Sequence, residues 1–387
     1  MRTAAAGCAL IRGGTPVHGT GTGEVLICRG TVAASCPHGP APIDATGCLV
    51  SPGFVDIHAH GALGCDFTDP NPASWHQALQ THLQAGTTTV LATLASTSPE
   101  QTAAALATAD HLLTSKKAPT LAGAHLEGPC LATLQRGAHD PGHLRPAADL
   151  LQELTPLPTV LRMVTLAPEL PGAHALISYL TDHGITVSAG HSDATPEQLA
   201  HARRLGLSHL AHLWSGQSTL TRPHLHRMPG LLEASLASDH LTAEVIADGH
   251  HLPAALLTIA LRCLGPDRLC LVSDATAGTG LPQGSRFRTG ATTGYVHDGY
   301  AATEDGTSLC GSTVPLAVTA ARMRKLTGAT VSDVVTMATD TPARAAGLYP
   351  RKGSLHTGAD GDVLLLGDDL SVRAVILDGH PMAGGPR

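Results

Sequence analysis

The sequence predicts an α/β protein: a parallel (β/α)8 TIM-like barrel with a small β-sandwich made from both chain ends. Three observations carry this reading. Between about residues 51 and 345, short apolar runs alternate with helical stretches, eight runs in all. The flanking stretches, 1–50 and 346–387, read instead as short strands joined by turns. Six of the eight runs end on His, Glu or Asp, the edge where barrels place their chemistry.

Taken in order, the first flank offers strands at 24–28 and 47–50. The barrel strands are expected at 54–57, 88–92, 121–126, 161–166, 186–189, 207–211, 242–246 and 269–272, each an apolar run of strand length. Helical stretches lie between them at 75–85, 101–113, 171–183, 196–205 and 253–264. The last flank returns to strands at 362–366 and 372–377. A chain of 387 residues can bury a large core, and single α/β barrels exceed about 250 residues. The 42 glycines and 27 prolines are spread along the chain, which fits many tight turns and no disordered tract.

Charge and cysteine usage exclude several function classes. The net charge of −7, with no long single-sign run, gives no support for nucleic-acid or membrane-surface binding. Nine cysteines, an odd number without a Cys-x-x-Cys, point to reduced thiols and a cytoplasmic protein. The apolar stretch before Ala5-Ala6-Gly7-Cys8 is too short for a signal peptide, and no run of about 18 apolar residues suggests a membrane span.

The strand ends carry the chemistry. His58 and His60 close the first run; alternate residues of a strand share a face, so both imidazoles can reach one point. The third run ends at Glu127, the fifth at His191, the sixth at His212, the seventh before His250 and His251, and the eighth at Asp274. Any one of these, taken singly, reads more simply as a structural histidine or a turn carboxylate. Their convergence on one rim reverses that for His191, His212, Glu127 and Asp274. Imidazole and carboxylate together suit a divalent ion. His125, His209 and His250 stay as packing residues or supports behind the ligands. His76, His82, His174, His183 and His201 fall on expected helices and read as ordinary.

At these residues the chain resembles the amidohydrolase superfamily, and within it the N-acetylglucosamine-6-phosphate deacetylase group. The likeness runs through Pro-Gly-Phe-Val-Asp-Ile-His-Ala-His-Gly at 52–61, His-Leu-Glu-Gly-Pro at 125–129 and Ala-Gly-His-Ser at 189–192. It continues through His-Leu at 212–213, Ile-Ala-Asp-Gly at 246–249 with His251, Leu-Val-Ser-Asp-Ala at 271–275 and Leu-Cys-Gly-Ser at 309–312. The resemblance implies a metal-dependent hydrolase that cleaves the acetamido group of an amino sugar, and a homodimer. It implies that Glu127, His191 and His212 bind a primary divalent metal, zinc, with iron, manganese and cobalt as alternatives. His58 and His60 then imply a second ion bridged by Glu127; some relatives use a single ion. By the same likeness His139, beside Ala138, contacts the amide carbonyl, and Asp274 is the catalytic carboxylate. Arg227 and His251 hold the phosphorylated sugar, the arginine reaching across the dimer interface. Leu309 and Gly311 belong to a loop lining the sugar pocket.

One departure stands out. Where the family carries Asn-Ala to help hold the phosphate, this chain has Ser215 and Gly216. The deacetylation chemistry is thus better supported than the sugar, and an unphosphorylated or otherwise different N-acyl amino sugar is an alternative substrate. A cyclic-amide hydrolase or deaminase of the same superfamily is a second alternative. The former often bridges two metals with a carboxylated lysine; here no lysine lies at a strand end and Glu127 takes that place. A non-catalytic metal- or sugar-binding protein is the alternative of another class, and it would have no use for Asp274.

Overall fold

The eight apolar runs form eight parallel strands: β1 (Phe54–Ala59), β2 (Thr87–Leu94), β3 (Leu121–Glu127), β4 (Leu161–Leu166), β5 (Thr186–Ala189), β6 (His209–Leu210), β7 (Thr242–Ile246) and β8 (Leu269–Val272). Each pairs in parallel with the next along the chain. The ring is drawn shut between β8 and β1, where the Asp274 N–H donates to His58 O at 2.9 Å and Ala59 bridges Ala275. This computed structural model describes residues 7–18 and 23–382. Residues 1–6, 19–22 and 383–387 of the two expected end segments, with Ala5 and Ala6 of the N-terminal apolar stretch, lie outside the described residues.

Helices α1 (Pro72–Gln84), α2 (Pro99–Thr114), α3 (Ala147–Glu153), α4 (Ala173–Asp182), α5 (Pro196–Arg204), α6 (Leu231–Leu236) and α7 (Ala254–Leu264) alternate with the strands. α1, α2 and α5 start on proline behind Asn71, Ser98 and Thr195, whose side chains accept backbone N–H groups of the first turn. α3 and α6 escape the sequence reading because they are short. With helices outside, the strands are buried on both faces, and every residue of β1 and β2 is buried. Val55, Ile57, Leu91, Met163, Ile246 and Val272, from five of the strands, share one apolar cluster. His82 on α1 is also buried and bonds Gly61 O at 3.1 Å, next to His60. No described helix is long and apolar enough to cross a membrane.

Two features lie outside the ring. Between β8 and helix α8 (Leu316–Thr327), an antiparallel sheet of Arg286–Thr289, Thr292–Val296, Tyr300–Thr303 and Leu309–Ser312 is inserted. Leu309 and Gly311, expected on a loop, are therefore on a strand. At the other pole, Leu49–Pro52 pairs antiparallel with Val363–Leu366, which joins the two chain ends in one sheet. A second sheet holds Thr31–Val32, Val25–Cys28, Ala9–Arg12 and Ala41–Asp44. Ile11 and Ile27 of this sheet and Val50, Val363 and Ile376 of the other share a buried cluster, so the pair is a sandwich.

Candidate metal centre

The carboxylate of Glu127, at the end of β3, sits where five imidazoles converge. Nε2 of His212 lies 2.7 Å from Oε1, that of His191 3.0 Å and that of His58 3.4 Å. His139 and His60 reach Oε2 at 3.3 and 3.4 Å. Asp274 closes the group, with Oδ1 3.3 Å from His60 Nε2 and 3.8 Å from His58 Nε2. The local chain explains how they meet. His191 and Asp274 lie two residues beyond β5 and β8 and have φ of 49° and 48°, a left-handed conformation that turns the backbone sharply at the mouth. Non-glycine residues held there carry strain of the kind that gathers at functional sites.

Hydrogen bonding sorts the histidines into two kinds. Nδ1 of His60, His191 and His212 faces a backbone carbonyl: Thr93 O at 3.2 Å, Gln135 O at 2.8 Å and Ser215 O at 3.1 Å. Nδ1 of His58 faces Glu244 Oε2 at 2.9 Å. These acceptors place the proton of each neutral ring on Nδ1, so four Nε2 lone pairs point at Glu127 and Asp274. His139 is the reverse. The Ser96 N–H donates to its Nδ1 at 3.3 Å, so the neutral ring carries its proton on Nε2 and presents a donor to the pocket.

Lone pairs and carboxylates gathered at one buried point require positive charge. Burial pulls His60 down, but Asp274 and Glu127 outweigh it and bring it up to about 9. Burial likewise opposes protonation of His58, and the charges of Glu244 and Glu127 raise it well above its ordinary value. His191 stays lowered, with burial as the main cause. Glu127 is penalised by burial yet held well below the usual carboxylate range by His58 and His139. A divalent cation supplies the same charge in one place and releases those protons. The buried Nε2 of His58, which has no hydrogen-bond partner, fits that reading. Three of the His, Asp and Glu groups with metal-binding spacing belong here: His58 with His60 and Asp274, His58 with Glu127 and His212, and Glu127 with His139 and His191.

Sequence reasoning missed Glu244. It lies on β7, fully buried, and accepts from His58 Nδ1 (2.9 Å), His209 Nε2 (3.1 Å) and the His212 N–H (3.1 Å). Its signal was a lone carboxylate inside an otherwise apolar run, since charged side chains are almost never fully buried unpaired. Replacing it, Glu244→Gln, is expected to weaken metal binding and lower kcat/KM by about 10–100-fold, as when such supporting partners are lost. Metal titration beside steady-state kinetics checks this, and wild-type values in both would remove Glu244 from the centre. His125 is buried between Ile57 O (3.0 Å) and Thr165 Oγ1 (2.8 Å), and His209 bonds Glu244, so both rings lie behind the cluster around Glu127. His250 is exposed and packs against Tyr300 with its ring tilted by 38°.

A pocket of about 320 Å³ opens over the centre. Ala138, Ser215, Gly216, His251, Leu309 and Gly311 line it, together with His139 and Asp274. Gly216 has φ 66°, and a Cβ there would stand 2.6 Å from His191 Nδ1, so glycine is dictated by the ring behind it. His251 is fixed by Asp248, whose Oδ2 lies 2.7 Å from its Nδ1. The inserted sheet contributes Thr289 and Thr292, and its last turn Ser308, which sequence reasoning did not foresee. Arg227 is not in the pocket of its own chain; it lies on the exposed segment 219–229 between β6 and α6.

A model of the amidohydrolase family matches residues 49–382. The chain belongs to the amidohydrolase family. Family relatives include the N-acetylglucosamine-6-phosphate deacetylase of Bacillus subtilis (strain 168), 32% identical over 349 residues, 88% of this chain and 85% of that one. The N-acetylgalactosamine-6-phosphate deacetylase of Escherichia coli O157:H7 is 31% identical over 361 residues, 92% of this chain and 94% of that one. Among solved structures, an N-acetyl-D-glucosamine-6-phosphate deacetylase from Mycobacterium smegmatis, in complex with N-acetyl-D-glucosamine-6-phosphate, is similar with a TM-score of 0.87 and 31% identity. It covers 97% of this chain and 99% of its own.

Proposed function

We propose that the chain hydrolyses the acetamido group of N-acetylglucosamine 6-phosphate, releasing acetate and the amino sugar. The observation that carries this is how the rings are turned: Nδ1 of His58, His60, His191 and His212 faces an acceptor and leaves Nε2 towards Glu127 and Asp274, while Nδ1 of His139 meets the Ser96 N–H. Glu127, His191 and His212 would hold a primary ion, and His58 and His60, with Glu127 between, a second. We assign zinc; iron, manganese and cobalt suit the same ligands. The chemistry supplied by that metal is polarisation of the scissile carbonyl and an acidified water at neutral pH.

The chain's own groups do the rest. The buried Asp274 carboxylate, pushed up by burial but held below its usual range by His60 and His58, is ionised at neutral pH and accepts the water's proton. It passes that proton to the departing nitrogen, which an amide cannot expel as an anion. His139 Nε2–H donates to the carbonyl oxygen as negative charge grows there. We assign His251, the Ser215 hydroxyl and the Gly216 N–H to the sugar phosphate. Arg227, outside its own pocket, would complete the phosphate site of a second copy in a homodimer. A sugar-phosphate substrate and reduced cysteines both belong to the cytoplasm.

A second reading is favoured by Ser215-Gly216 and by the galactosamine-type relative: the true substrate is another N-acyl amino sugar. Steady-state kinetics with N-acetylglucosamine 6-phosphate, its galactose epimer and the unphosphorylated sugar separates the two. The phosphorylated glucose form is expected to win over the unphosphorylated one by about 10–100-fold in kcat/KM, the worth of one charge-assisted hydrogen bond. Equal efficiency on both would remove the phosphate assignment.

A further inference from the structure

We infer that the end sandwich carries a separate metal site, in which Cys8, Cys28 and Cys36 hold one thiophilic cation through three thiolate sulfurs. Cys8 directly precedes the strand Ala9–Arg12, Cys28 ends the paired strand Val25–Cys28, and Cys36 lies on the loop leading to Ala41–Asp44. None of them lines the pocket over the barrel. Their sulfurs all lie within 4.8 Å of one another. A metal–sulfur bond of about 2.3 Å sets tetrahedral sulfurs about 3.8 Å apart, so closing the site takes side-chain shifts of roughly 1 Å or less.

The surroundings supply a donor to one of these sulfurs and leave a way in from solvent. The Arg29 N–H donates to Cys8 Sγ at 3.4 Å. A backbone donor of this kind stabilises negative sulfur. The turn that aims it is tight: Arg29 has φ 53° and Gly30 φ 79°. Cys8 is buried while Cys28 and Cys36 are half-buried, so one side stays open for entry and for a fourth ligand from solvent. Three soft donors with no carboxylate among them select zinc, cadmium or copper(I) over the harder ions. Binding forms three metal–sulfur bonds and releases the thiol protons to solvent, with no change of oxidation state. A disulfide would use two of the three sulfurs and leave the third without a role.

The test is titration of the full chain, its barrel site already loaded with zinc, with Cd2+. Thiolate-to-cadmium charge transfer in the ultraviolet reports sulfur ligation alone, whereas the imidazole and carboxylate ligands of the barrel are silent. The band is expected to saturate at one added ion per chain and to be lost in both Cys28→Ser and Cys36→Ser. Unchanged far-ultraviolet dichroism shows that the variants fold. No band in the wild type, a band that survives in both variants, or a Cys28–Cys36 disulfide in peptide maps of freshly prepared protein would each overturn the site.

Discussion

Asp274→Asn is expected to lower kcat by about 10²–10⁴-fold, the usual worth of a positioned acid–base group, while the metal stays bound. The substitution is nearly isosteric, and the backbone that places it is independent of the side chain. The Asp274 N–H bonds His58 O and its carbonyl accepts from Ser312 N–H at 2.8 Å. What changes is chemistry: an amide cannot accept the water's proton or return it to the leaving nitrogen. His58 and His60 lose a nearby negative charge, but Glu127 still faces both rings. The expected signature is therefore a fall in kcat with KM little moved and metal content unaltered by elemental analysis. This variant also separates the reading from a non-catalytic binder, in which Asp274 would have no proton to carry. Turnover that survives at the wild-type rate would contradict the mechanism.

The barrel was legible because its strands are buried on both faces. β4, β5, β7 and β8 fall on the very runs expected at 161–166, 186–189, 242–246 and 269–272. β6 shrinks from the expected 207–211 to His209–Leu210. The chain leaves the ladder there to carry His212 into the mouth, where its N–H bonds the Glu244 side chain. The inserted sheet was hidden for a different reason. Arg286–Thr289 alternates exposed and buried residues, and its neighbours mix Thr, Gly and Tyr, so no apolar run marks them. The side chains that converge on Glu127 could be read because they sit at strand ends. The groups that orient them could not: Thr93, Gln135 and Ser215 act through backbone carbonyls, which every residue possesses. Only Glu244 left a trace, and it was a residue out of character with its strand rather than a motif.

Glu127→Gln is expected to have the larger effect on metal binding. Five Nε2 atoms lie 2.7–3.4 Å from this one carboxylate. An amide keeps the size but removes the charge and turns an NH2 donor toward rings whose lone pairs or protons already fill the space. Metal is expected to be lost on dialysis. Losing several kcal/mol of charge stabilisation in the transition state corresponds to a fall in kcat/KM of roughly a thousandfold. The two variants are then distinguished by metal content: Asp274→Asn keeps the ion and loses the proton transfer, while Glu127→Gln loses both. Their combination sharpens the point. If Asp274 acts only on a water that the metal has acidified, the double variant is no slower than Glu127→Gln alone, because groups that work as a unit are strongly non-additive. A double variant slower by the full product of the single effects would instead mean that Asp274 acts on the substrate without the metal's help, and the assignment of its role would have to change.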